Sequence, residues 1–264
     1  MESHISAERA NLMNATLNRE PTFQNGDELP PAWHWLYFHE PVRCDGLGIE
    51  GHAKRGRFMP PVLLPRRMWA GGKLQFERPI RIGEHAVKRS HVKSITPKQG
   101  RSGQLCFVTV EHEITVANER CLLEEQTIVY REAAKAGSRT VKAKPAPTDA
   151  AFSTSYTPDP IMLFRYSALT FNAHRIHYDV DFCRNHEGYP DLVVHGPLTA
   201  TLLLDLFYHQ YPNKQIVGFE YRAHSPLFNP HPFTINGKRQ GNRGEAWASN
   251  HEGGLAMKAK VMFT

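Results

Sequence analysis

The chain has 264 residues, 41% of them hydrophobic and 22% charged, a balance that supports a self-sufficient core and excludes wholesale disorder. Its formal charge of +6 comes from 32 basic residues interspersed with 26 acidic ones. There is no long Lys/Arg run, zinc-finger spacing or aromatic-flanked RNA-binding signature, so an attraction to anions is implied and a nucleic-acid partner is not expected. Cys44, Cys106, Cys121 and Cys183 form neither a C-x-x-C pair nor a metal spacing, and no segment approaches the ~20 apolar residues of a membrane span. These features predict reduced thiols in a cytoplasmic chain with no membrane partner.

In chain order, the first expected element is a helix around Ala7 to Leu17, which either packs through Leu12, Met13 and Leu17 or is a peripheral, partly frayed segment. A second candidate for the helix that covers the first half is Leu63 to Trp69, short and bounded by Pro60-Pro61 and Gly71-Gly72. The phrase Gln75-Phe76-Glu77-Arg78-Pro79-Ile80 then opens a set of strands: Val87 to Ile95, Leu105 to Val116 and Glu124 to Arg131, with turn signals at Lys98 to Arg101 and at Ala117-Asn118. The segment Ala133 to Ser155, rich in Ala, Lys, Pro, Ser and Thr without a hydrophobic period, reads as a solvated connector. A similar phrase, Gly218-Phe219-Glu220-Tyr221-Arg222, precedes strands Pro232 to Gln240, Gly244 to Asn250 and Leu255 to Phe263. Ahead of it, Pro197 to Tyr211 is apolar nearly all round, the mark of a buried helix, with Pro197 at its first position. The expected architecture is α+β, two similar antiparallel units over 1–132 and 156–264 joined by a linker at 133–155, each sheet wrapping a helix.

Between the connector and the buried helix lies Tyr-Ser-Ala-Leu-Thr-Phe-Asn-Ala-His-Arg-Ile-His-Tyr-Asp from Tyr166 to Asp179, followed by Val194-His195-Gly196-Pro197. This stretch resembles the signature of the MaoC-like (R)-specific enoyl-CoA hydratases, which runs aromatic, two residues, aliphatic, small, Gly, Asp, any, Asn, Pro, aliphatic, His. Tyr166, Leu169, Thr170, Ile176 and His177 fill their places, whereas the Gly, Asp, Asn and Pro fall on Phe171, Asn172, His174 and Arg175. The altered motif is similar to that of the type 2 hydroxyacyl-thioester dehydratases, a subgroup that includes mesaconyl-C4-CoA and itaconyl-CoA hydratases. The similarity extends to Pro30–Phe38, Leu64–Gly72 and Arg101–Gly103, and so spans most of the chain. It implies a double hot-dog fold whose first half lacks the catalytic motif, a coenzyme A thioester as substrate, no separate cofactor and a homodimer.

Adding water to an α,β-unsaturated thioester requires a base for the water, a proton for Cα and donors for the enolate oxygen. His177 is the natural base, with a buried hydrogen-bonded histidine as the plainer alternative. Asn172 cannot exchange a proton but can hold a water beside His177. Asp179 is either a carboxylate for the site or the cap of a following helix. Gly196 precedes a helix start whose unpaired N–H groups suit an oxyanion, or is merely a tight lead-in to that helix.

Arg66, Arg67 and Trp69 are the binding candidates of the first half. An arginine facing the site favours a dicarboxylic acyl group such as mesaconyl or itaconyl, and one facing outward is free for the phosphates of coenzyme A. Arg165 and Arg175 are further anion-binding candidates, and His174 and Tyr178 are partners for the water or for Asn172. Trp33, Trp35, Tyr37 and Phe38 read as core or as a pocket wall. Two other functions fit the same stretch: a 3-hydroxyacyl dehydratase acting on an acyl-carrier protein, and a thioester-binding protein that has lost turnover with the motif's Asp.

Overall fold

The structure is a computed structural model that describes residues 1–56, 58–100, 103–132 and 143–264. β1 (Glu2–His4) leads into α1 (Ala7–Thr16), which is capped by the Ser6 hydroxyl accepting from the Arg9 N–H. Four strands complete the first half: β2 (Arg66–Phe76), β3 (His85–Gly100), β4 (Gly103–Val116) and β5 (Glu119–Arg131). The second half comprises β6 (Phe152–Tyr156), α2 (Pro160–Leu169), the single turn α3 (Val180–Phe182), α4 (Gly196–Gln210), β7 (Ile216–Ala223), β8 (Phe233–Gln240), β9 (Arg243–Asn250) and β10 (Leu255–Phe263).

All these strands form one antiparallel sheet in the order β1-β3-β4-β5-β2-β7-β10-β9-β8-β6. Outward from the central pair β2–β7, the order is β5, β4, β3, β1 on one side and β10, β9, β8, β6 on the other, so every strand of one half has a counterpart in the other. The seam is Gly71–Gln75 against Arg222–Gly218. A Cβ on Gly71 would lie 2.5 Å from the Tyr221 carbonyl oxygen, so the close approach of the halves requires the glycine.

α4 lies against β7 to β10 with Leu198, Leu202, Leu203, Leu204 and Phe207 fully buried. Each such side chain stabilises the fold by roughly 1.5–3 kcal/mol. Among the described residues the first half has no such helix. Its inner face is covered by the stretch through the 3-10 turn Trp33–Leu36, in which Trp33, Leu36, Tyr37 and Phe38 are buried. The Trp33 indole donates to Asp205 of α4 at 3.0 Å, fastening the cover of one half to the helix of the other.

Three expectations are corrected. Leu63–Trp69 is not a helix: Leu63 is exposed and the chain from Arg66 runs as β2, where it pairs with β5 along one side and β7 along the other. Arg66–Trp69 pairs with Arg131–Ile128 of β5, a ladder that satisfies backbone groups which a short helix trapped between a Pro pair and a Gly pair would leave open. The helix at the N-terminus is real, but it packs on α2 and the Trp33–Leu36 turn and leaves Leu12 exposed, with Met13 and Leu17 buried. The expected connector at 133–155 is structured at its C-terminal end. Phe152–Tyr156 pairs with Phe233–Gly237, and the Phe152 ring packs edge-on against Phe207 at 5.1 Å, so Ser153, Thr154 and Ser155 are the polar residues of an edge strand. Residues 133–142 of that connector, Arg101 of the expected turn, and Arg101 and Ser102 of the third similar segment lie outside the described residues.

Candidate active site

The motif folds as a tight turn after α2. Phe171 takes φ 49°, the left-handed conformation for which the family motif carries a glycine, and the Asn172 N–H returns to the Ser167 carbonyl at 2.8 Å. The Asn172 side-chain oxygen accepts from the His174 N–H at 3.0 Å, an Asx turn that commits one lone pair of that oxygen and leaves the amide N–H groups without a protein acceptor among the described residues. Asp179 resolves to a structural residue: it caps α3 by accepting from the Phe182 N–H at 2.9 Å and pairs with Arg175 at 2.7 Å. Arg175, on the motif's Pro position, is thereby committed, and its guanidinium lies over the Phe182 ring.

His177 is buried, and its Nδ1 lies 2.7 Å from the Val193 carbonyl. A carbonyl only accepts, so Nδ1 carries the proton and Nε2 the lone pair, with no protein partner for Nε2 among the described residues. Burial pushes the His177 pKa down to about 4 against the raising effect of the Val193 bond, which keeps the ring a neutral base at pH 7. Its face stacks on His195 with centroids 3.6 Å apart, and His195 Nε2 meets the Ser167 hydroxyl at 2.8 Å.

His195 is also the N-cap residue of α4 and supplies no side-chain cap, so the amides of Gly196 and Leu198 open the helix without a side-chain acceptor. Trp69 closes over this helix start. A Cβ on Gly196 would lie 2.8 Å from Trp69 Cε3. The indole is held by stacking on Tyr221 at 4.6 Å and by an edge contact with Trp35 at 5.5 Å. Gly196 and Trp69 thus meet, and the glycine is required by the ring rather than by backbone conformation.

The first half contributes more than a wall. Gly51, at φ +93°, brings its backbone against the Ala173 carbonyl, and the Glu50 carbonyl accepts from the Arg175 N–H at 2.9 Å. This stitch sets the His52 ring 4.1 Å from His174, which in turn meets His177 edge-on at 5.5 Å. His52, His174, His177 and His195 therefore form a row of imidazoles, all pushed toward the neutral form first by burial. Among the described residues no group of three or more His, Cys, Asp or Glu side chains is arranged to hold a metal ion. His52 had no signal in the sequence, because it sits in an irregular polar loop more than a hundred residues from the motif.

The arginines separate. Arg67 lies close enough to His52 and His174 to lower the basicity of both, has the Tyr130 hydroxyl beside its guanidinium, and makes no ion pair among the described residues. Arg66 is engaged instead, with its guanidinium 2.7 Å from Glu187 and over the Tyr189 ring. Arg165 is exposed on the outer face of α2, away from His177, because Leu163, Tyr166 and Ser167 take the inner one. A second polar cluster, unread in the sequence, lies under the Trp33–Leu36 turn. There buried Glu124 accepts from the Trp35 indole at 3.0 Å and meets His34 Nε2 at 3.0 Å beside Lys88 and His112, in a pocket of about 220 Å³. Burial alone would raise the Glu124 pKa, but His34, His112 and Trp35 bring it down to about 2.

A long antiparallel sheet around a central helix, with a neutral histidine beside that helix's open N-terminus, defines a hot-dog-fold acyl-thioester hydratase or dehydratase. The fold is shared with a MaoC-like dehydratase from Phytophthora capsici, on which the structure superposes with a TM-score of 0.72 at 12% identity, covering 100% of this chain and 94% of that one. Residues 32–229 match the hydroxyacyl-thioester dehydratase type 2 family, and the chain belongs to it. Among its relatives are the mesaconyl-C(4)-CoA hydratase of Chloroflexus aurantiacus, 42% identical over 99% of this chain and 93% of that protein, and the mitochondrial hydroxyacyl-thioester dehydratase type 2 of Schizosaccharomyces pombe, 32% identical over 81% of this chain and 79% of that protein.

Proposed function

We propose that this protein hydrates a short, carboxylated enoyl-CoA thioester of the mesaconyl-C4-CoA kind. The observation that carries the reading is the His177 tautomer, which leaves an unprotonated Nε2 one stacking distance from the residue that opens α4. The thioester carbonyl oxygen docks on the Gly196 and Leu198 amides, Nε2 takes a proton from water, and the hydroxyl adds to Cβ. The enolate is held by the same amides until the proton returns from Nε2 to Cα. Arg67 receives the free carboxylate of the acyl group, and the identity to the Chloroflexus hydratase supports that choice. Itaconyl-CoA fits the same charge pattern. Proton transfers of this kind need no cofactor beyond the coenzyme A that the substrate carries.

Loss of the conjugated thioester absorbance with mesaconyl-C4-CoA, itaconyl-CoA and crotonyl-CoA is the test. Turnover by the wild type that survives intact in His177→Gln overturns the reading. Arg67→Met should lower kcat/KM for the carboxylated thioesters by on the order of 100-fold and leave crotonyl-CoA within a few-fold. An equal loss on both classes removes Arg67 from carboxylate recognition.

The fission yeast relative's name favours a second reading, dehydration of a 3-hydroxyacyl thioester, which passes through the same atoms in reverse. A carrier-protein substrate would be told from free coenzyme A thioesters by a steep fall in rate with salt. We also take the protein to be a cytoplasmic homodimer. Its four free cysteines suit a reducing compartment. The outer face of α2 exposes Ile161 and Phe164, continued by Phe171, which suits a second copy.

A further inference from the structure

We propose that His174 replaces the carboxylate missing from the motif, its neutral imidazole accepting the second hydrogen of the attacking water while His177 removes the first. The inference rests on the hydratase reading and asks how that site works without an aspartate. A water aimed at Cβ is best oriented when both its hydrogens are held, so that a lone pair faces carbon. His177 Nε2 holds one. The Asn172 oxygen already accepts from the His174 N–H inside its own turn, which fixes its direction and commits one of its two lone pairs, and its amide nitrogen only donates. The neighbouring carboxylate of Asp179 is occupied by Arg175 and the α3 cap.

His174 stands in the vacant role. Its ring is perpendicular to His177 at 89°, and neither of its ring nitrogens has a protein partner among the described residues. Burial first, then His177 and Arg67, push its pKa down to about 3, so the ring is an acceptor and not a cation at neutral pH. His52 backs the ring at 4.1 Å and is a positioning residue supplied by the other half of the chain. The atoms balance with one moving proton. The water O–H bond breaks and its proton goes to His177 Nε2, while the oxygen bonds Cβ and the π pair moves onto the thioester oxygen. That pair then returns to form the Cα–H bond with the same proton. His174 is unprotonated before and after.

The test uses whichever thioester the wild type hydrates. His174→Phe, which keeps a ring against His52, is expected to lose about 100-fold in kcat with KM changed less than about threefold. His174→Gln retains one acceptor oxygen, is expected within about tenfold of the wild type, and reports on folding without the ring. The decisive variant adds Asn172→Asp to His174→Phe: the carboxylate can keep the turn with one oxygen and present the other where the amide nitrogen stood, restoring at least about tenfold of the lost rate. A His174→Phe rate within threefold of the wild type, or no recovery in the double variant, overturns the inference and leaves the hydratase reading standing. A wild type inactive on every thioester overturns both.

Discussion

The Cβ that Gly196 lacks would lie inside van der Waals contact of Trp69, and that indole is itself held between Tyr221 and Trp35. Gly196→Ala must therefore move either the ring or the start of α4, and the amides assigned to the enolate oxygen move with it. Its kcat should fall by about 100- to 1,000-fold, the range seen when an oxyanion donor is lost, with a circular dichroism spectrum like that of the wild type. Unchanged kcat would separate the helix start from catalysis. Arg66 and Arg67 show how one misread element hides a residue's role. Successive side chains of a strand point to opposite faces, so Arg67 shares a face with Trp69 and Arg66 does not. Read as a helix, the same segment offers no such separation. Asn172 and His174 were both visible in the motif, but the bond between them, which reverses their importance, is a matter of turn geometry that spacing does not encode.

On α2 the inner positions Leu163, Tyr166 and Ser167 are buried while Ile161 and Phe164 are 65% and 63% exposed, and Phe171 beyond its end is 62% exposed. A helix with apolar side chains on both faces is unfinished in a single chain. Phe164→Glu should convert a dimer to monomer in sedimentation velocity without loss of fold, since the ring touches solvent in the isolated chain. A wild type that sediments as a monomer removes the dimer. The elements legible beforehand were those with a strong signal: α4, apolar all round, β4, alternating from Phe107 to Ile114, and β8 to β10, set off by Gly-containing turns. β2 and β6 were not, because one contains a glycine pair demanded by the facing strand and the other is a Ser/Thr-rich edge. Both are strands through tertiary pairing, which local composition does not report.

For the molecule as a whole, the row of neutral imidazoles ties stability to pH. The His177 pKa is about 4 in the fold against 6.5 for a free histidine, so between those values the unfolded chain binds the proton and the folded chain does not. Stability is therefore complete above pH 6.5 and falls as pH drops toward 4, by roughly 3 kcal/mol for this residue alone. His174 shifts in the same direction. Glu124, held at about 2, adds a second loss only below its free value of 4.5. Urea midpoints should drop steeply from pH 7 to 5, and His177→Gln should flatten part of that slope. A midpoint constant over this range would contradict the burial of these rings as neutral species.

The β2–β7 seam also sets what can be expressed. The half that carries the motif looks separable on paper, yet cutting it away would strip the β7 backbone from Gly218 to Arg222 of its partner and leave an open, sticky margin. It would also remove His52 from behind His174 and Trp69 from above Gly196. The smallest working unit is thus the full pair of halves, and a truncated clone of the motif region is a recipe for inclusion bodies rather than for a minimal enzyme.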